Sequence, residues 1–314
     1  SKEELWIDCT VTRSGGRGRT VISMDHTNVV LVERDGEALL KREAGAKSER
    51  SDLRRELACM TLRELIELAR TADEAARRRL EEGVALNMRI ARHGLTLFPK
   101  RFVEQASDEE LTAIAKLVCA GVYARMSGED FPVMSLAGSG NKGIVASVPM
   151  AAHAGKKGKS PHETAQALAL ACLVTSATTF HLGSLSAVCG CSNAAGIGLA
   201  CGLVLLEGGG EKEISLAINN MVGNVTGMIC DGAKIGCALK TMTAVDAAFR
   251  ASSLALEGIG IPFTDGIVGA GGLESLANLG RIAGRGMLSA DSEILSIMRE
   301  KLESEKTRAK GGKG

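Results

Sequence analysis

Aromatic residues are scarce, at 3% of 314, with one Trp, one Tyr and six Phe. Proteins that hold single-stranded nucleic acid stack its bases on aromatic side chains, so that role is not expected. Charge of one sign is lacking too. Lys and Arg number 38 against 37 Asp and Glu, a net charge of +1, which leaves no global field to draw the chain to nucleic acid or an anionic membrane. The longest apolar run, Ala194–Leu206, has 13 residues, whereas a bilayer-spanning helix needs about 20. Proline is rare, at five residues. No leader-like pattern opens the sequence. It starts at Ser1, almost directly in a strand-like segment, so a fragment or a processed product is expected.

Glycine and cysteine are what the chain does have. Thirty-eight glycines, with many alanines, predict closely packed helices and tight turns. The nine cysteines are an odd number, scattered through apolar segments rather than spaced as a disulfide framework. That usage predicts a reducing, cytoplasmic compartment.

Two kinds of periodicity divide the chain. "LWIDCTVT", "GRTVISM" and "NVVLVERDG" are rich in β-branched residues, with turns at Ser14–Gly16 and Asp35–Gly36; they predict a small antiparallel meander. Residues 42–57 are charged and read as solvated. From Thr61 the pattern is helical. Thr61 with Glu64 forms a capping box, Ser107 with Glu110 reads as a second capping pair, and glycines follow Leu206 at a helix stop. The expected fold is α+β: a β-rich domain over 1–50, a large all-α domain over 51–300, and a flexible tail over 301–314.

Cys9, Cys59, Cys119, Cys172 and Cys201 are isolated in apolar patterns and read as small packing residues. Cys189, Cys191, Cys230 and Cys237 are different, because they lie beside Gly, Asp, Ser and Asn in "VCGCSN" and "MICDGAKIGCALK". Structural zinc sites use tighter Cys pairs than these. An iron–sulfur cluster takes thiolates from scattered positions, and three thiolates leave one iron open as a Lewis acid. Buried packing thiols remain the alternative.

Other polar groups stand near. "AGSGNKG" carries Ser139, Gly140 and Asn141 in a Gly-rich loop able to turn N–H groups toward an anion, without the phosphate-loop spacing. His26, Thr27 and Asn28 interrupt a β pattern and suit carboxylate binding or proton transfer, or simple exposure. His181 suits either a cluster-orienting role or a helix end. Asn219, Asn220 and Asn224 lead toward Cys230 and suggest a polar pocket, since buried amides must be hydrogen-bonded. Lys234 suits a substrate carboxylate or Asp231. Arg281 and Arg285, four apart, suit a carboxylate clamp, an inter-subunit pair or plain surface charge.

Taken in order, "HTNVV", "AGSGNKGIVASVP", "CGCSNAAGIG", "NVTGMICDGAKIGCALK" and "NLGRIAGRGM" closely resemble the L-cysteine desulfidase family, also known as the serine-dehydratase-alpha-like family. The resemblance implies an oxygen-sensitive [4Fe–4S] lyase that works without pyridoxal phosphate. Such an enzyme converts L-cysteine to pyruvate, ammonia and hydrogen sulfide, or L-serine by the equivalent dehydration. It implies cluster ligands at Cys230, Cys237 and Cys191, with Cys189 as the alternative to Cys191. Substrate contacts are implied at Thr27, Asn28, Ser139, Gly140 and Asn141, and catalytic roles at His26, Lys234 and Asp231. The family's longer N-terminal region, with its Gly-Cys-Thr-Glu-Pro-like motif, is not in this sequence. Either the sequence is a fragment, or a separate polypeptide supplies that region, or the chain is a non-catalytic cluster-binding subunit. The expected partners are therefore a small amino acid, a second copy in a homodimer and that separate polypeptide, with no nucleic acid and no membrane.

Overall fold

The computed structural model describes residues 6–24, 28–43, 49–104, 110–183 and 186–311. The chain divides into two compact units, Ser1–Cys59 and Met60–Gly314. The fold is α+β, with a four-stranded antiparallel sheet followed by helices.

In the first unit, β1 (Trp6–Arg13), β2 (Gly16–Ser23), β3 (Val29–Arg34) and β4 (Glu37–Lys41) pair in sequence order. Val21 and Val30 are buried, while every residue of β1 is exposed. Arg19 bonds Asp8 across one strand pair at 2.7 Å and Glu33 across the next at 3.3 Å. The charged segment expected to be solvated ends in a helix, α1 (Glu49–Cys59), whose described residues are mostly exposed or half-exposed. Arg, Glu, Leu and Ala are good helix formers, and charge alone does not oppose a helix.

The second unit is all helical. It runs through α2 (Leu62–Arg70), α3 (Glu74–Leu95), the short α4 (Lys100–Glu104), α5 (Glu110–Met126), α6 (Gly140–Lys156) and α7 (Pro161–Leu182). It continues with α8 (Gly190–Leu206), α9 (Glu211–Val225), α10 (Cys237–Leu256), α11 (Gly272–Arg281), a π turn at Ile282–Gly286 and α12 (Leu288–Gly311). The Thr61–Glu64 capping box forms as expected; Ser107 lies outside the described residues. Helical backbone also continues through 301–311, in the segment whose composition suggested a flexible tail.

Local chemistry sets the ends. After α8, Gly208 takes φ +87°, its N–H reaches Leu205 O at 3.1 Å, and Gly209 N–H reaches Val204 O at 2.8 Å. That paired closure needs a left-handed residue, which glycine supplies without a Cβ clash. α10 closes in the same way through Gly258 and Ile259.

The centre is α8, which packs against α6, α7, α9 and α10. It is apolar all round, as a fully buried helix must be. Its glycines let α7 come close: a Cβ at Gly202 would sit 2.6 Å from Ala167 O and 2.5 Å from Met150 Cε. At Gly198 a Cβ would strike Thr175 Oγ1 and the Ala171 carbonyl. α7 is long and apolar enough to cross a membrane by length and composition, yet most of it is buried inside the helical unit.

These contacts predict opposite outcomes for two glycine changes. Gly198→Ala should destabilise the protein by about 1–3 kcal/mol through overpacking. Gly155→Ala, on an exposed turn of α6 with nothing within 4 Å, should be neutral or stabilising by up to about 1 kcal/mol. Urea unfolding of both variants checks the pair, and equal effects would contradict this account of the α7–α8 contact.

Candidate functional site

The two cysteine-rich segments, 40 residues apart in sequence, lie side by side. Val188 and Ile229 form an isolated antiparallel bridge. Cys189 N–H donates to Met228 O at 2.8 Å, and Cys230 N–H donates to Ala187 O at 2.7 Å. Cys189 caps α8, Cys191 sits in its first turn, and Cys237 opens α10. The Cys230 thiol is within electrostatic reach of Cys189 and Cys237, and the Cys191 thiol is within reach of the same two. The fold therefore gathers all four thiols that the sequence singled out.

The rest of the chain's thiols are dispersed. Cys119 and Cys201 are buried, Cys172 is half-buried, and Cys9 and Cys59 are exposed. The packing role expected for Cys9 and Cys59 is not what their positions give, because Cys9 lies on the exposed β1 and Cys59 ends α1 at the surface.

Backbone donors turn toward two of the gathered sulfurs. Gly232, at φ +92°, lets the 231–236 loop fold back so that its N–H favours the thiolate form of Cys230. Lys234 N–H points at Cys237 Sγ from 3.5 Å. Lys240 ties the loop down, with its ammonium donating to Ile229 O at 3.0 Å and pairing with the Asp231 carboxylate. The hydrogen bond from Lys240 holds the Asp231 carboxyl below its ordinary range.

α6 brings polar groups to the same place. Residues 136–139 form a tight turn with left-handed backbone at Ala137 and Gly138, closed by 3.0 Å bonds in both directions between Leu136 and Ser139. Ser139 caps α6 through Lys142 N–H, and its Oγ lies 3.4 Å from Cys191 Sγ. Asn141 is buried but turned toward α5. Arg125 Nη1 donates to Asn141 Oδ1 at 3.1 Å, and the Asn141 amide meets Met126 Sδ at 3.6 Å. Gly140 makes room for the Arg125 guanidinium, which a Cβ there would strike.

The first turns of α6, α8 and α10 thus meet at the thiols. Neither Cys189 nor Gly236 supplies a side-chain cap, so the positive ends of α8 and α10 stay available to thiolates or an anion. Burial pushes the Cys191 thiol up to about 11, helped by the neighbouring Cys189 and opposed by Ser139 and Lys142. The Cys230 thiol is likewise raised, by burial first.

Other expected residues sit differently. Lys234 Nζ donates to the Asp231 carbonyl at 2.7 Å and approaches Met298 Sδ at 3.5 Å, in an exposed position. Asn28 belongs to the first unit, where its amide donates to Ser23 O at 3.0 Å. His26 and Thr27 lie outside the described residues. Asn219 and Asn220 line no thiol pocket. Asn219 accepts from Ser275 Oγ at 2.6 Å, while Asn220 joins Ile259 O at 3.0 Å and Ile261 N–H at 2.9 Å, pinning the segment between α10 and α11. His181 ends α7 against Phe180 and Gly280, and burial lowers its pKa. Arg281 and Arg285 fall on either side of the α11–π-turn junction rather than on one α-helical face.

Two residues at the site were not singled out from sequence. Lys142, in "SGNKG", is 8% exposed, and its Nζ donates to Thr179 Oγ1 at 3.0 Å. Asn193, fully buried, donates to Cys189 O at 3.2 Å and leaves Oδ1 as an acceptor without a donor. A charged residue inside a Gly-rich loop was the available signal for Lys142. Asn193 carried none, because it looks like one more small residue in a small-residue helix.

Among the described residues, no three Cys, His, Asp or Glu side chains converge closely enough to hold a single metal ion. A cluster has a different requirement, since each thiolate meets a different iron and the sulfurs stay apart. Four gathered thiols, two with N–H groups directed at them, match the chemistry of such a donor set.

The family described as serine dehydratase alpha chain matches residues 36–296. A UPF0597 protein of Caldanaerobacter subterraneus is 40% identical over 304 residues, covering 95% of this chain and 72% of that one. A UPF0597 protein of Geobacter sulfurreducens is 38% identical over 314 residues, covering 97% and 73%. One from Clostridium botulinum is 36% identical over 308 residues, covering 95% and 72%. No solved structure matches.

The burial of these thiols orders their reactivity. With its pKa near 11, Cys191 is about one-thousandth thiolate at pH 8. Alkylation of metal-free protein at that pH, followed by mass spectrometry, should mark Cys9 and Cys59 first and Cys191 far later. Cys191 labelling as fast as Cys59 would overturn the described burial.

Proposed function

The chain belongs to the serine dehydratase alpha chain family, and on that premise we propose that it is an iron–sulfur lyase that β-eliminates L-cysteine. A lyase-type role follows from the family. The choice of cysteine, the cluster and a cytoplasmic setting is our reading. The observation that carries it is the antiparallel bridge that sets the Cys189 and Cys230 segments side by side, with Cys237 at the same place.

Cys230 and Cys237 would hold the cluster with one thiol of α8. Either Cys189 or Cys191 can take that third place: Cys189 lies near Cys230 and Cys191 near Cys237, and each sulfur is 3.4 Å from a serine hydroxyl, Ser192 for Cys189 and Ser139 for Cys191. A bound cluster with three thiolates supplies an open iron, a Lewis acid for the substituent on Cβ. The protein's part is placement. The positive first turns of α6, α8 and α10 favour anions at the site. N–H groups of Gly232 and Lys234 direct the sulfurs. Asp231 and Lys240 fix the loop, so in this reading Asp231 and Lys234 order the backbone rather than carry the proton. Overall, the α-proton leaves, the Cβ–S bond breaks with release of sulfide, and the enamine hydrolyses to pyruvate and ammonia.

L-serine differs only in its leaving group. Anaerobic reconstitution, then assay with both amino acids, separates the choices. About four irons per chain, with pyruvate and sulfide from L-cysteine, is the expected result. Pyruvate from L-serine alone would make the protein a dehydratase, and iron without pyruvate would make it a cluster-binding subunit. Cys230→Ala should lose the iron and Cys119→Ala should keep it; full iron in Cys230→Ala would remove that residue from the ligand set.

A further inference from the structure

We propose that Lys142, positioned by Thr179, is the cation that receives the α-carboxylate of the amino-acid substrate. The inference rests on the lyase reading and names the recognition group for its substrate class.

Lysine is seldom buried to this degree without a specific role, because its ammonium is strongly hydrated and costly to desolvate. Lys142 is 8% exposed in the first turn of α6. Its tip lies where the chain turns into α8: a Cβ on Gly190 would be 3.3 Å from Lys142 Cε and 3.6 Å from Nζ. The tip of Lys142 therefore lies against Gly190, next to Cys191 in the chain.

Thr179 fixes the direction of the ammonium. Its hydroxyl donates to Thr175 O at 2.7 Å, so toward Lys142 it acts only as an acceptor, at 3.0 Å. This bond helps to set the tilt of the side chain. An ammonium held this way is a compact point charge suited to a carboxylate. The substrate's other end is an ammonium and needs an acceptor. Among the described residues, a buried side-chain acceptor left without a donor, Asn193 Oδ1, lies two residues beyond Cys191 on α8. Lys142 and Asn193 are thus both placed at the start of α8.

The test uses L-alanine, which has both charged ends and no leaving group, and 2-aminoethanethiol, which has the amine and thiol but no carboxylate. Equilibrium binding of each is measured on reconstituted wild type, Lys142→Gln, Thr179→Val and Thr179→Ser, with iron content and unfolding midpoint recorded for each. Loss of a hydrogen bond to a charged group should weaken L-alanine binding by about 10- to 100-fold in Lys142→Gln. Iron content and 2-aminoethanethiol binding should not change. Thr179→Val should weaken L-alanine in the same sense and Thr179→Ser should restore it. Wild-type L-alanine affinity in Lys142→Gln would overturn the inference alone. So would parallel loss of iron, which would make Lys142 a counter-charge for the thiols. A wild type that neither forms pyruvate nor binds L-alanine overturns the lyase reading and this inference with it.

Discussion

The close approach of α7 and α8 is the constraint on which the helical unit depends. α8 is surrounded by four helices, and Gly198 and Gly202 leave α7 no side chain to pack around. Dispersion falls steeply with separation, so small residues at such a contact convert backbone proximity into packing. The axis and axial position of α8 follow from that contact. Its first turn, carrying Cys189 and Cys191, is then placed without any further device.

The thiol site grows from that fixed point. One short antiparallel bridge aligns the 228–230 segment with the start of α8. Gly232 then reverses the chain so that Cys237 can open α10 nearby. Ser139 delivers α6 from the other side. Two buried and two half-buried thiols beside three positive helix ends form an environment that disfavours thiolate by burial and favours it by charge. The burial effect prevails at Cys191 in the metal-free chain. Binding a multivalent cationic centre would reverse that balance, because a coordinating thiol is deprotonated by its metal.

The sheet unit is built on another principle. Its strands leave one face largely exposed, and Arg19 spans three strands through two carboxylates. Exposed pairs of this kind contribute little to stability and more to register.

Local signals were legible in sequence wherever the physics is local. The strand alternation, the Thr61–Glu64 box, the glycine stop after Leu206 and the peculiarity of "VCGCSN" and "MICDGAKIGC" depend on near neighbours, and the structure contains each of them. The gathering of Cys189, Cys191, Cys230 and Cys237 could be suspected from their polar surroundings, but only a long-range backbone bridge brings the two segments together. Sequence could not separate an asparagine that pins a loop, such as Asn220, from one that lines a site. Nor could it tell that Asn141 faces Arg125 while Lys142 faces inward, because adjacent residues on a helix point about 100° apart and burial decides which direction meets the thiols. The sequence by itself determined the elements, their ends and the supply of sulfur; the tertiary structure decided which sulfurs meet and which cation stands beside them, because those contacts join residues that no local preference connects.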